Sequence, residues 1–205
     1  IHDGRSSSTR RTQAYQEGLP ILSMIASFQD EDEGLEHQVD MPVGIPDPES
    51  LPSAAEHLGE IDHAVARFWA TERPFDMRHV PSPVYLSVEG DRVAHQAVWL
   101  KAVGPLPDDD NLHRAALAYA SDYSILEPIL RRHGIAWAMP GLKAASLDHA
   151  MWWHRPGRVD EWLLYVQESP NAIGGRGLSL GRIYRRDGVL LASVAQEGMV
   201  RVPST

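Results

Sequence analysis

The sequence predicts an α+β fold in which one antiparallel sheet wraps round one helix. Three observations carry the prediction. A helix-spaced apolar stripe comes after Pro107 and the acids Asp108, Asp109 and Asp110. A meander of strand-like segments then closes the chain. Within that meander Asp187-Gly188 separates two apolar runs, which is the pattern of a tight hairpin.

Along the chain, residues 5–15 are polar and β-tolerant, Glu17-Gly18 reads as a turn, and Pro20 to Gln29 as a second strand. Gly18 supplies the positive φ that a two-residue hairpin requires. Residues 30–57 are acidic and proline-rich, a linker composition. Ala54, Leu58, Ile61, Ala64, Val65 and Phe68 have helical spacing. Strands are expected near 75–80 and 92–103. Asp108 to Asp110 provide an N-cap and acids that complement the helix dipole. The helix they open places Leu112, Ala115, Ala116, Tyr119, Leu126, Ile129 and Leu130 on one stripe, and Pro128 should end or kink it near its last turn. Leu142 to His154, Glu161 to Ser169, Leu178 to Arg185 and Val189 to Arg201 complete the sheet. Trp152, Trp153, Trp162 and Tyr165 are core candidates by β-preference.

Composition narrows the function classes. The chain has 205 residues, 43% of them hydrophobic, enough to build a core. The absence of cysteine excludes disulfides, thiolate metal sites and a cysteine nucleophile, and fits a reducing, cytoplasmic setting. A net charge of −9 argues against nucleic acid as the main partner, because phosphate binding needs a basic surface. No apolar run approaches the roughly 20 residues of a membrane span. Ile1-His2-Asp3-Gly4 reads like the middle of a domain, which leads us to expect a preceding segment. A weak repeat points the same way: Gly4-Arg5, Gly18 and Ala26-Ser27 to Gln29 echo Gly175-Arg176, Gly188 and Ala192-Ser193 to Gln196.

Three polar residues fall on otherwise apolar faces: Asp122 on the helix stripe, and Ser146 and Gln196 in two separate strands. A buried polar group is costly without a partner. Three from separate elements therefore suggest a shared site that holds a water or a substrate. Each also has a plain reading: a carboxylate paired with arginine or turned to solvent, a satisfied strand serine, and an amide serving the sheet backbone. Ser146, Asp148 and His149 do not read as a nucleophilic triad. Alternation along a strand points Ser146 and Asp148 one way and His149 the other, and there is no Gly-x-Ser-x-Gly elbow. His149 and His154, five apart with no third ligand nearby, make a poor metal site. Gly174-Gly175-Arg176-Gly177 lacks the lysine and following helix of a phosphate loop and reads as a turn.

Ser146-Leu147-Asp148-His149-Ala150-Met151-Trp152-Trp153-His154-Arg155-Pro156 resembles the S/T-[LI]-D-H-x-M-W-F-H-x-P signature of the type II, TesB-like acyl-CoA thioesterases, with Trp153 in place of the usual Phe. Tyr119-Ala120-Ser121-Asp122, Pro140-Gly141, Glu161-Trp162-Leu163-Leu164-Tyr165, Asp187-Gly188-Val189-Leu190 and Gln196-Glu197-Gly198 continue the likeness in order. Ala26-Ser27-Phe28-Gln29, Glu36-His37-Gln38 and Met41-Pro42 match the end of the family's first half.

The resemblance implies a double hotdog, two copies of a sheet wrapped round a central helix. Residues 1–42 would be the end of a first copy that is incomplete at its N-terminus. Residues 43–74 would be a linker with a helix, and 75–205 the second copy. It implies acyl-CoA as substrate, hydrolysed to a fatty acid and coenzyme A, with Asp122, Ser146 and Gln196 as the catalytic residues and no metal or cofactor. Arg131, Arg132, Lys143, Arg155 and Arg158 are candidates for the coenzyme A phosphates. Exposed sheet edges make a homo-oligomer the expected state. The alternatives are a hotdog enoyl-CoA hydratase, which would use an Asp–His pair, and a non-catalytic acyl-CoA-binding protein.

Overall fold

A computed structural model describes residues 2–203. The chain divides into two compact units, one up to Gln38 and one from Val39 onward.

The first unit is a three-stranded antiparallel sheet of β1 (His2–Asp3), β2 (Ser7–Gln16) and β3 (Leu19–Gln29). Glu17 and Gly18 join β2 to β3 with φ of 50° and 79°. Positive φ at both central residues matches the right-handed twist of the flanking strands.

The second unit contains α1 (Ala54–Leu58), α2 (Ala64–Arg67), β4 (Phe75–His79), β5 (His95–Ala102), α3 (Asp110–Ser121), α4 (Glu127–His133), β6 (Lys143–Ser146), β7 (Ala150–Trp153), β8 (Leu163–Ile173), β9 (Arg176–Arg185) and β10 (Leu190–Arg201). Its sheet is antiparallel in the order β4-β5-β8-β9-β10, and β6 and β7 pair in succession along the outer edge of β10. Alternation sorts the sheet's two faces. Val98, Leu100, Leu163, Tyr165, Ile183 and Val194 pack under Leu117, Ala120, Ile125, Leu126 and Ile129 of the helical layer. Ala97, Trp99, Leu164, Val166 and Tyr184 face the other way and are covered by Met41, Ile45 and Leu51. The part of the proline-rich stretch from Met41 to Leu51 is thus packed against the sheet, whereas residues 30–37 are exposed and without regular structure. Trp99 Nε1 donates to Pro46 O at 2.9 Å, and Arg186 pairs with Asp47 and Glu49.

The helix start falls where the acids predict it. The Asp109 side chain accepts the N–H groups of Asn111 and Leu112. The single long helix expected from the apolar stripe is instead two helices. The first stops at Ser121, residues 122–126 form turns, and α4 begins at Glu127 with Pro128 in its first turn. Proline lacks an N–H and is well placed there, where that donor would have no partner. The break also changes the helical phase. The buried face of α3 is His113, Leu117, Ala120 and Ser121, whereas Leu112 and Tyr119 are exposed. The expected helix over 54–70 is likewise α1 and α2 separated by a turn after Gly59, followed by a short π-helical turn over Phe68–Glu72. Trp162 and Tyr165 are buried as expected, but Trp152 and Trp153 are not; they lie on edge strand β7, outside all three core clusters.

A buried polar network ties α4 to the sheet. The Glu127 carboxylate is bonded by His79 Nε2 at 2.9 Å, Gln96 Nε2 at 2.9 Å and Trp137 Nε1 at 3.2 Å. Arg131 donates to Gln96 Oε1 at 3.2 Å and to the carbonyls of Ser82 and Glu89. Burial pushes the Glu127 carboxyl upward, but His79 opposite it and the bonds from His79, Gln96 and Trp137 outweigh burial, so it lies below its ordinary value of 4.5.

Candidate active site

The turn that ends α3 places Asp122 at its C-cap, facing the strands at the far edge of the sheet. Ser146 is the last residue of β6 and lies opposite Gly198, while Gln196 lies two residues earlier on β10. The three meet. Ser146 Oγ donates to Asp122 Oδ1 at 2.9 Å, and Gln196 Nε2 donates to the same oxygen at 2.8 Å. Gln196 Nε2 also donates to Ser146 Oγ at 2.8 Å. Among the described residues, Asp122 Oδ2 takes no bond. The premise that all three are buried is corrected: Gln196 is fully buried, but Asp122 and Ser146 are exposed, so the carboxylate opens to solvent.

The segment between β6 and β7 contains a fourth member that strand alternation assigns to the opposite face. Leu142–His154 is not one strand. Ser146 pairs with Gly198, but Ala150 pairs with Ala195, so three residues on one side face two on the other. Leu147 and Asp148 both donate their N–H to Glu197 O, and the Asp148 carboxylate accepts Glu197 N–H at 2.8 Å. This is a β-bulge, and one extra residue reverses the alternation beyond it. His149 is thereby brought to the site. Its Nδ1 lies 2.5 Å from Gln196 Oε1 and its Nε2 lies 3.1 Å from Ser121 Oγ. Asp148 faces the backbone of β10 and His149 binds Gln196, so no Ser–His–Asp triad forms.

Buried groups pack beneath the site. Tyr165 OH donates to Ser121 O at 3.1 Å from a fully buried position. Burial, with the Asp122 charge acting in the same direction, pushes this hydroxyl well above its ordinary value, so it stays neutral and donates. Gly198, opposite Ser146, lets Leu126 lie against the sheet; a Cβ there would come within 2.6 Å of the Leu126 side chain.

The cations considered for coenzyme A are not equally free. Arg131 is enclosed in the Glu127 network, which removes it as a phosphate ligand. Arg158 is held by Asp160 and Asp108, and Arg132 donates to Arg92 O. No cluster of three or more metal-ligating side chains occurs among the described residues.

A sequence model of the family described as Acyl-CoA thioesterase matches residues 68–199, which span the whole cluster. The chain belongs to the acyl-CoA thioesterase family. Acyl-CoA thioesterase 2 of Haemophilus influenzae is 36% identical, over 98% of this chain and 71% of that protein. Acyl-coenzyme A thioesterase 8 of Homo sapiens is 38% identical, over 97% of this chain and 65% of its own length. The chain thus spans about two thirds of these two relatives. The crystal structure of an acyl-CoA thioesterase II, TesB2, from Mycobacterium marinum aligns with a TM-score of 0.75 at 40% identity, over 99% of this chain and 72% of that one. A hot dog fold protein from Alicyclobacillus acidocaldarius shares the fold at 17% identity, with a TM-score of 0.78. The acyl-CoA thioesterase chain thus has the hotdog architecture that its motifs imply.

Proposed function

We propose that this chain hydrolyses fatty acyl-CoA thioesters to a free acid and coenzyme A, using a water held by Asp122, Ser146 and Gln196. The reading rests on the division of labour within the Asp122 carboxylate. One oxygen is fixed by Ser146 and Gln196, and the other is left open to solvent. A water bonded to Oδ2 has a proton acceptor in place. As its oxygen attacks the thioester carbonyl carbon, Asp122 takes its proton. The tetrahedral intermediate then collapses, the C–S bond breaks, and the sulfur leaves with a proton as the free thiol. General-base assistance of this kind contributes about 10²–10⁴-fold.

Only side chains and water enter these steps, so the reaction as proposed needs no cofactor or metal; coenzyme A belongs to the substrate. A hydratase reading would need a histidine beside the base, and Asp122 has none among its described partners. In this reading residues 1–42 are the end of a first hotdog, 43–74 the connection, and 75–205 the second hotdog with the catalytic residues. We extend the proposal to a cytoplasmic protein, and to one that self-associates, the latter because β4 and the β6–β7 edge leave strand edges unpaired among the described residues. Light scattering that returns a monomer would remove that part. No helix among the described residues is long and apolar enough to cross a membrane.

Direct attack by water has its own test. During turnover, rapidly quenched protein is expected to show the unmodified mass. An acyl group found on Ser146 would make serine the nucleophile and overturn the assigned roles.

A further inference from the structure

We propose that His149 is a positioning residue for Gln196, holding the amide so that its NH₂ group faces Asp122 and Ser146. Its role in turnover rests on the thioesterase reading above; the bond itself does not.

Counting hydrogens fixes the arrangement. Gln196 Nε2 faces an acidic oxygen and a hydroxyl, at 2.8 Å from each. The amide must therefore present its NH₂ group on that side and its carbonyl oxygen on the other. A carbonyl oxygen only accepts. His149 Nδ1, 2.5 Å from Gln196 Oε1, must then carry a hydrogen. On the far side of the ring, Ser121 Oγ lies 3.1 Å from Nε2 and 2.8 Å from Ala118 O. Its single hydrogen goes to one or the other, and in either arrangement Nδ1 remains the donor to Gln196. The chain of bonds thus runs from Ser121 through His149 and Gln196 to Ser146 and Asp122.

Gln196 is fully buried, and the ring of His149, itself exposed, is the group that bonds its carbonyl oxygen. Without the His149 donor, nothing fixes which way that acceptor points. The Ser146 hydroxyl, 2.8 Å from Nε2, is a donor within reach of a rotated amide. An amide rotated to take it would strip both bonds from Asp122 Oδ1. The bulge at Leu147–Asp148 makes the contact possible, because uninterrupted alternation would point His149 away.

Two experiments test this. The first reads the ring directly. In ¹⁵N-histidine-labelled protein, with the resonance assigned by its loss in His149→Asn, Nδ1 is expected to carry the proton at neutral pH. Its signal should shift in Gln196→Ala. A bare Nδ1 with the hydrogen on Nε2 alone would overturn the proposal whether or not the chain hydrolyses anything. The second is a double-mutant cycle on acyl-CoA turnover. His149→Ala is expected to lower kcat roughly ten- to a hundredfold with little change in KM. His149→Asn, which retains a donor at the corresponding place, should recover most of it. In the Gln196→Ala background, removing His149 should cost nothing further. Additive losses in the cycle would mean that His149 acts independently of Gln196 and would refute the positioning role. Absent hydrolysis by the wild type would count against the thioesterase reading alone.

Discussion

Asp122→Ala is expected to lower kcat by roughly 10²–10⁴-fold and to leave KM nearly unchanged. The carboxylate is the point on which Ser146 and Gln196 converge, and its other oxygen is where a water can give up a proton. That proton transfer belongs to the transition state, so its loss should appear in kcat and kcat/KM equally. Asp122→Asn is the sharper variant. It keeps an oxygen to accept the Ser146 and Gln196 bonds but cannot take the proton, and it should be nearly as slow. Asp122 is exposed, so neither change should unfold the protein. A raised KM with normal kcat would assign Asp122 to binding and remove it as the base.

Glu127→Ala should cost about 3–5 kcal/mol of stability, because it leaves buried charged and polar partners without their counterpart. His79, Gln96 and Trp137 all lose a bond; His79 and Gln96 are buried and Trp137 is partly so. Urea unfolding at neutral pH measures the loss as a lowered midpoint with an unchanged slope. The same group sets an acid limit. Its folded value lies below the ordinary 4.5, so its contribution is fully present above the unfolded value and is lost as pH falls through the folded one. Wild-type stability should therefore fall below about pH 4.5, and Glu127→Gln should lack that part of the decline. Identical pH profiles for the two proteins would show that the carboxylate contributes no net stabilisation.

The sequence is informative where the physics is local. Asp109 caps a helix because its side chain reaches the backbone N–H groups of Asn111 and Leu112, and that geometry depends on nothing distant. Glu17-Gly18 and Asp187-Gly188 make turns for the same reason: the conformation belongs to those residues. Pro128 is legible as a break but not as to which helix it serves. A missing N–H ends one helix or begins another, and only the packing of Ile125, Leu126 and Ile129 against the sheet decides.

Asp122, Ser146 and Gln196 stand out as polar interruptions of apolar patterns, and family resemblance selects the same three. Their convergence on one oxygen is a tertiary fact that no spacing contains. Strand parity misplaces His149 because a bulge inserts one residue without changing composition, and alternation fails beyond it. One signal is present in the sequence. Strict alternation puts the Asp148 carboxylate on the face of Ser146, where the Asp122 carboxylate already sits. The bulge turns that carboxylate to the Glu197 N–H and releases His149 toward Gln196. Trp152 and Trp153 show the opposite limit: strand preference is satisfied at a sheet edge without burial.

Whether this chain is a thioester hydrolase that works through Asp122 is decided by the release of free thiol from a panel of acyl-CoA esters, with the acid product measured alongside. The wild-type chain is expected to give one thiol and one free acid per ester consumed, and Asp122→Asn neither above background. Tight acyl-CoA binding with no thiol released, or hydration of an enoyl-CoA with the thioester left intact, would contradict it.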